Sequence, residues 1–313
     1  MKIRNKTAIG LILFLCSAVL WGCGYEKEEQ SEDPPFTIGV VTKSRSSEYW
    51  LTVCSGMEKA AQELGVQLTI LYPDTEENAV LQQRMLQDLI KKNVNAIAVS
   101  PIDSNHNSYI EEAEKKGIPV YAYDTRILDY DVPYIGIDNR KAGYELAEVL
   151  AEKIGGKGKV GIVTGKLDQD SHHQRLEGFR DYIRKHSQIQ IAFVETGYSN
   201  KKISDKRVKE ILEANEDLTG IMATSAVTGL GLMESLEGTG IQIASIDVQE
   251  DAIKEVLDGN MAVLAAQDGY EIGYETVKYI MADAEDGLQG EDEILDVAIL
   301  TGENIEDYKN LKK

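Results

Sequence analysis

Three cysteines, two tryptophans, four histidines and six prolines in 313 residues leave little room for several kinds of chemistry. Cys16 lies in an apolar head, Cys23 just after it, and Cys54 stands alone in the body of the chain. If the head is removed and Cys23 is modified, no intramolecular disulfide is possible, and stability must come from packing. Cys54 shares an apolar 3.6-residue pattern with Val53, Met57, Ala60, Ala61 and Leu64, so it is expected in the core rather than as a nucleophile. His172 and His173 are adjacent, so their side chains diverge on a helix or a strand. No HExxH or CxxC accompanies them, and they are expected at the surface, with His173 the one able to border a pocket. No GxGxxG follows a strand, and GxxxxGK[ST] is absent. The glycine-rich run Gly155-Gly156-Lys157-Gly158-Lys159 precedes a strand, where it reads as a helix stop and a turn. There is no GxSxG elbow, and 53 acidic residues offer too many pairs to single out a glycosidase dyad. The expectation is no cofactor, no metal and no enzyme.

Basic residues are also scarce. The net charge is −20, and losing Lys2, Arg4 and Lys6 with the head takes it to −23. Phosphate recognition needs a basic face, so a nucleic-acid partner is not expected, and an anionic membrane surface would repel the body. The excess acid reads as solubility. A long apolar run occurs once. Residues 1–22 have a basic start, an apolar stretch from Ala8 to Leu20, and Gly22 before Cys23, the layout of a signal peptide. The stretch is too short to span a bilayer comfortably. Leu20-Trp21-Gly22-Cys23 resembles a bacterial lipobox, which makes Cys23 the expected lipidation site and the cell membrane the expected anchorage. The acidic stretch 24–35, closed by Pro34 and Pro35, suits a tether.

From Phe36 onward, β-rich runs alternate with helical patterns. FTIGVVT (36–42), VQLTILY (66–72), NAIAVS (95–100) and IPVYAY (118–123) are predicted strands, with helices between them. The pattern restarts with KVGIVTG (159–165), a helix opened by Arg175, IQIAFVE (189–195), GIMAT (220–224), IQIASID (241–247) and MAVLAAQ (261–267). A helix over 270–283 and a last strand ILDVAIL (294–300) complete it. Such alternation implies parallel sheets flanked by helices, and so many strands imply two lobes: an α/β chain of two Rossmann-like halves.

Polar and aromatic residues stand where these strands end. Tyr49 and Trp50 follow the first strand. Asp124, Thr125 and Arg126 follow the fourth. Arg175 follows KVGIVTG, Ser225 follows GIMAT, and Asp247 and Gln267 end their strands. The carboxyl edge of an open α/β sheet is where ligands bind. Aromatic rings cover the apolar C–H face of a sugar. Asp and Arg make charge-assisted bonds to hydroxyl pairs, and Ser and Gln both donate and accept.

The same residues carry a family resemblance. Tyr49-Trp50, Gly56, Pro101 with Asp103, Asp124, Asp138-Asn139, RLEGF (175–179), IDV (246–248) and AAQ (265–267) occur in order, and the chain from Phe36 to Ile299 resembles the type I periplasmic sugar-binding proteins, the ribose-binding group. The resemblance implies two lobes, 36–137 plus 268–296 and 138–267 plus 297–313, joined by a three-segment hinge. Crossovers would fall near Ile137–Asp138, Gln267–Asp268 and Asp296–Val297. It further implies a monosaccharide held by Tyr49, Trp50, Asp124, Thr125 or Arg126, Arg175, Ser225, Asp247 and Gln267, and a monomer that delivers its ligand to an ABC permease. Three departures put ribose in doubt. Asp124-Thr125-Arg126 stands for Asp-Arg, Ser225-Ala226 for Asn-Asp, and Ser46-Ser47-Glu48 for Asn-Asn-Pro. A role in signalling to a membrane sensor kinase or chemoreceptor fits the same residues. A repressor with this fold would need a basic headpiece where the signal stands.

Overall fold

The computed structural model describes residues 35–186, 188–287 and 290–311. The predicted signal peptide, Cys23 and the tether up to Pro34 lie outside the described residues. The first half runs β1 (Thr37–Val41), α1 (Glu48–Leu64), β2 (Gln67–Leu71), α2 (Ala79–Lys91), β3 (Ala96–Val99), α3 (Tyr109–Lys115), β4 (Val120–Tyr123) and β5 (Tyr134–Ile137). Strands β3, β4 and β5 are buried along their whole length, the mark of a sheet covered on both faces. α1 stops at Gly65, whose left-handed φ of 69° lets its N–H return to the Ala61 carbonyl.

The second half runs α4 (Asn139–Lys153), β6 (Gly158–Thr164), α5 (Asp170–Lys185), β7 (Ile189–Thr196), α6 (Lys201–Leu212), β8 (Leu218–Ala223), α7 (Ala226–Leu236), β9 (Gln242–Ile246), α8 (Glu250–Leu257) and β10 (Val263–Ala266). It closes with α9 (Gly269–Asp286), β11 (Glu293–Leu295), β12 (Ala298–Leu300) and α10 (Ile305–Leu311). Two six-stranded sheets result, ordered β11-β5-β4-β3-β1-β2 and β12-β10-β9-β8-β6-β7. Every pairing is parallel except β10 with β12. The chain leaves the first sheet after β5 and returns after β10, when α9 packs on α1. It leaves again between β11 and β12.

Several expectations need correction. ILDVAIL is two strands, because Asp296 and Val297 carry the chain from one sheet to the other. β5, α4, α8 and α10 were not among the predicted elements. α4 buries mainly Ala142, Leu146, Ala147, Leu150 and Ala151 between charged residues, a thin apolar stripe. α5 begins at Asp170, so Arg175 lies in its second turn instead of opening it. Cys54 is half-buried and Leu64 is 45% exposed, so neither belongs to the core. Burial, with Glu58 beside it, pushes the Cys54 thiol up to about 11, which keeps it protonated near neutral pH.

Two helix pairs fix the geometry that follows. A methyl group on Gly56 would overlap the Tyr270 carbonyl, and one on Gly273 would overlap that of Val53, so α1 and α9 touch backbone to backbone. Gly143 and Gly178 do the same for α4 and α5, meeting the carbonyls of Arg175 and Arg140.

Candidate functional site

The carboxyl ends of the two sheets face each other across one cleft. From the first sheet, the segment after β1 supplies Lys43, Ser47, Tyr49 and Trp50, the loop after β2 supplies Glu76, and β4 delivers Asp124. From the second come His172 and Arg175 on α5, Ser199 after β7, Ser225 at the start of α7, and Asp247 and Gln249 after β9. The space they enclose measures about 30 Å³. That is room for one or two waters, and the walls mostly pair with one another.

Asp124 is the hub. Its Oδ1 accepts from Tyr49 Oη at 2.8 Å and Gln267 Nε2 at 3.1 Å. Its Oδ2 accepts from Lys43 Nζ and Ser100 Oγ, both at 3.0 Å, and lies 2.9 Å from Thr125 Oγ1. Burial alone would raise its pKa, but the charges of Lys43 and Arg175 and the donated hydrogen bonds hold it well below the usual carboxylate range. The Tyr49 hydroxyl, buried beside Asp124 and Asp247, is pushed well above its ordinary value and stays a donor.

Arg175 plays the matching part for the second sheet. It donates to Asn139 Oδ1 and to the Thr224 carbonyl, each at 2.8 Å, and to Gln267 Oε1. Asp247 Oδ1 lies 3.6 Å from Arg175 Nη1, too long for a strong bond. Burial therefore prevails over the opposing Arg175 charge, Asp124 adds repulsion, and the Asp247 carboxyl is pushed up to about 6. His172, buried and facing the positive charges of Arg175 and Lys43, is held well below the normal imidazole value, so it is neutral. Its Nδ1 lies 2.8 Å from Thr224 Oγ1. Trp50 is 3% exposed, edge-on to Tyr49 and Tyr123, and its Nε1 donates to Glu76 Oε1 at 2.7 Å. Burial raises the Glu76 pKa against the pull of Lys43 and that hydrogen bond.

The residues singled out from the sequence thus fall into three groups. Tyr49, Trp50, Asp124, Arg175, Ser225 and Asp247 line the cavity. Thr125 and Gln267 stand behind it. Thr125 is fully buried, with Oγ1 accepting from Lys43 at 2.6 Å and lying 2.8 Å from Ser171 Oγ, while Gln267 ties Arg175 to Tyr49 and Asp124. Arg126 is elsewhere. It pairs with Asp292 at 2.7 Å and stacks over the Tyr134 ring, half-exposed on the far side of the Asp124 turn. Ser225 acts locally as the helix cap, accepting from Thr228 N at 3.3 Å. His172 and not His173 borders the cavity, because α5 turns His173 outward.

Sequence reasoning missed Lys43, Glu76, Ser199 and Gln249. Lys43 gave no signal, since a lysine beside Ser44 and Arg45 reads as a solvated turn, yet it is 2% exposed. Gln249 had one available signal, its place two residues beyond Asp247.

A family model described as a periplasmic binding protein domain matches residues 38–288. The ribose import binding protein of Bacillus subtilis (strain 168) is 24% identical over 278 residues, covering 86% of this chain and 90% of that protein. The D-allose-binding periplasmic protein of Escherichia coli (strain K12) is 27% identical over 261 residues, covering 79% and 83%. Among solved structures, an ABC-transporter periplasmic solute-binding protein from Actinobacillus succinogenes 130z with bound D-allose superposes with a TM-score of 0.82 at 25% identity. The match covers 88% of this chain and all of that one.

Proposed function

This chain belongs to the periplasmic binding protein family, and we propose that it is an exported lipoprotein that captures a small sugar-like solute between two lobes and delivers it to an ABC importer. Membership makes it a binding protein, not an enzyme. The observation that carries the sugar reading is the meeting of Tyr49, Trp50, Asp124, Arg175, Ser225 and Asp247 around one cavity, with contributions from the ends of both sheets. Rings for a C–H face stand beside charged acceptors and donors for hydroxyls, the pairing a sugar needs. The relatives that import or bind ribose and D-allose support the same ligand class.

In this reading Tyr49, Trp50 and Asp124 bind from the lobe made of 36–137 plus 268–296. Arg175, Ser225 and Asp247 bind from the lobe made of 138–267 plus 297–313. Thr125 and Gln267 hold the binding groups in place. Cys23 carries the lipid, residues 24–35 form the tether, and the protein works as a monomer at the outer face of the cell membrane. In the processed chain Trp50 is the only tryptophan. Titration with a panel of monosaccharides should change its emission and raise the melting temperature, because a guest that binds only the folded state stabilises it. No change in either with any member of the panel would reject the sugar reading.

A further inference from the structure

The cavity wall has more negative charges than positive ones. Asp124 has its counter-ion in Lys43 at 3.0 Å, and Asp247 has a loose one in Arg175 at 3.6 Å. Both cations are spoken for. Arg175 also donates to Asn139, Thr224 and Gln267, and Lys43 also donates to Thr125. The third carboxylate, Glu76, accepts from the neutral indole of Trp50 and from Ser199; the Lys43 charge acts on it, but among the described residues no cation is bonded to it. Hydroxyls of a neutral guest could donate to Glu76 without cancelling its charge, and a charge without a bonded counter-ion is costly where water is largely excluded. A second observation points to a guest in the same place. Gln249 is 5% exposed and lines the cavity, yet among the described residues its Nε2 donor has no partner. A buried donor without an acceptor is what a guest oxygen would satisfy.

We infer that the guest carries one positive charge: it is an amino sugar or amino polyol whose ammonium is received on the Glu76 and Asp247 side of the cavity while Gln249 donates to one of its oxygens. This rests on the cleft being the sugar site and narrows the ligand class within it. The two carboxylates repel each other, which adds to the rise in Asp247 and would be relieved by an ammonium near both. His172 lines the same cavity and, being neutral, adds no competing charge.

The test compares matched trios by calorimetry on the full processed chain: D-glucose, D-glucosamine and N-acetyl-D-glucosamine, and the corresponding galacto and manno compounds. In at least one trio the free amine should bind about tenfold or more tighter than both its parent and its acetylated form, as expected for one gained charge-assisted contact. Glu76→Gln, which keeps an acceptor for Trp50, should collapse that ratio toward unity. Neutral sugars that bind as well as their amines overturn this inference and leave the sugar-binding reading standing. A panel in which nothing binds removes both. An amine preference that survives Glu76→Gln in a variant with an unaltered melting temperature also overturns the assignment to Glu76. The wild-type ratio is informative whatever the variant does.

Discussion

Asp124 and Asp247 occupy corresponding places, each at the carboxyl end of the third strand in its sheet. Both have left-handed backbones, with φ of 61° and 79°. Aspartate tolerates that conformation better than most residues, at a cost of roughly 1–3 kcal/mol for a non-glycine position. Matched backbones do not give matched charges. Asp124 is saturated with donors and stays ionised to very low pH, whereas Asp247 faces burial with a distant partner. The folded-state pKa of Asp247, about 6, lies above the ordinary 3.8, so the folded protein binds this proton more tightly than the unfolded chain does. Its contribution to stability therefore grows as pH falls through 6 toward 4, and above 6 the ionised group costs stability. Asp247→Asn is neutral at every pH and keeps the left-handed turn. It should raise guest-free stability at pH 7.5 by on the order of 2 kcal/mol, with the gain fading below pH 4. Denaturation of both proteins across that range checks this. A variant less stable than wild type at pH 7.5 would mean that Arg175 needs the Asp247 charge more than burial resists it.

At the scale of elements, the site depends on how closely helices approach. Arg175 rides on α5, and α5 is held by the contact of Gly143 with the Arg175 carbonyl. Gly143→Ala should cost roughly 1–3 kcal/mol through overpacking. Because α5 carries Arg175 and His172, the same change should weaken guest binding although Gly143 lies outside the cavity lining. Unfolding midpoints and calorimetry on one preparation test both effects, and an unchanged midpoint would show that α4 and α5 can part without loss. The elements also show what a sequence reveals. Strands such as NAIAVS and IPVYAY were legible because short apolar runs end sharply, and the endings of such runs pointed to Asp124, Asp247 and Gln267. α4 was not, because its buried stripe is mostly alanine. Arg126 looked equivalent to Thr125 in a linear reading, but the left-handed turn at Asp124 sends the next residue inward and the one after it outward to Asp292. Lys43 and Glu76 were illegible for a different reason: charged residues in loops are ordinarily solvated, whereas Lys43 is buried against Asp124 and Thr125 and Glu76 is half-buried at the cavity.

For the molecule as a whole, the question is what holds the two sheets' edges together. Few bonds cross the cleft, and they are polar. Asp170 N donates to Ser104 Oγ and Ser104 N to the Asp168 carbonyl, both at 3.0 Å; Thr125 Oγ1 meets Ser171 Oγ at 2.8 Å; and Glu250 N donates to Glu48 Oε1 at 3.1 Å. Each such bond is worth only about 0.5–1.5 kcal/mol net, because water offers the same partners when the cleft opens. The charged groups on the walls gain water on opening as well. Moving a two-state equilibrium from mostly open to mostly shut requires about 5.5 kcal/mol of differential affinity. On the proposed reading, a guest bridging Asp124 and Trp50 on one side to Asp247 and Arg175 on the other supplies it, since those contacts would exist together only in the shut form. Gln267 is placed to couple the two, standing where the chain recrosses between β10 and α9 and bonded to Arg175 as well as to Tyr49 and Asp124. Small-angle scattering of the processed chain should therefore show a smaller radius of gyration when guest is saturating than when it is absent. Superimposable curves, recorded at a guest concentration where calorimetry shows full occupancy, would mean that the lobes do not close and that the wall groups pair across the cleft whether or not a solute is held.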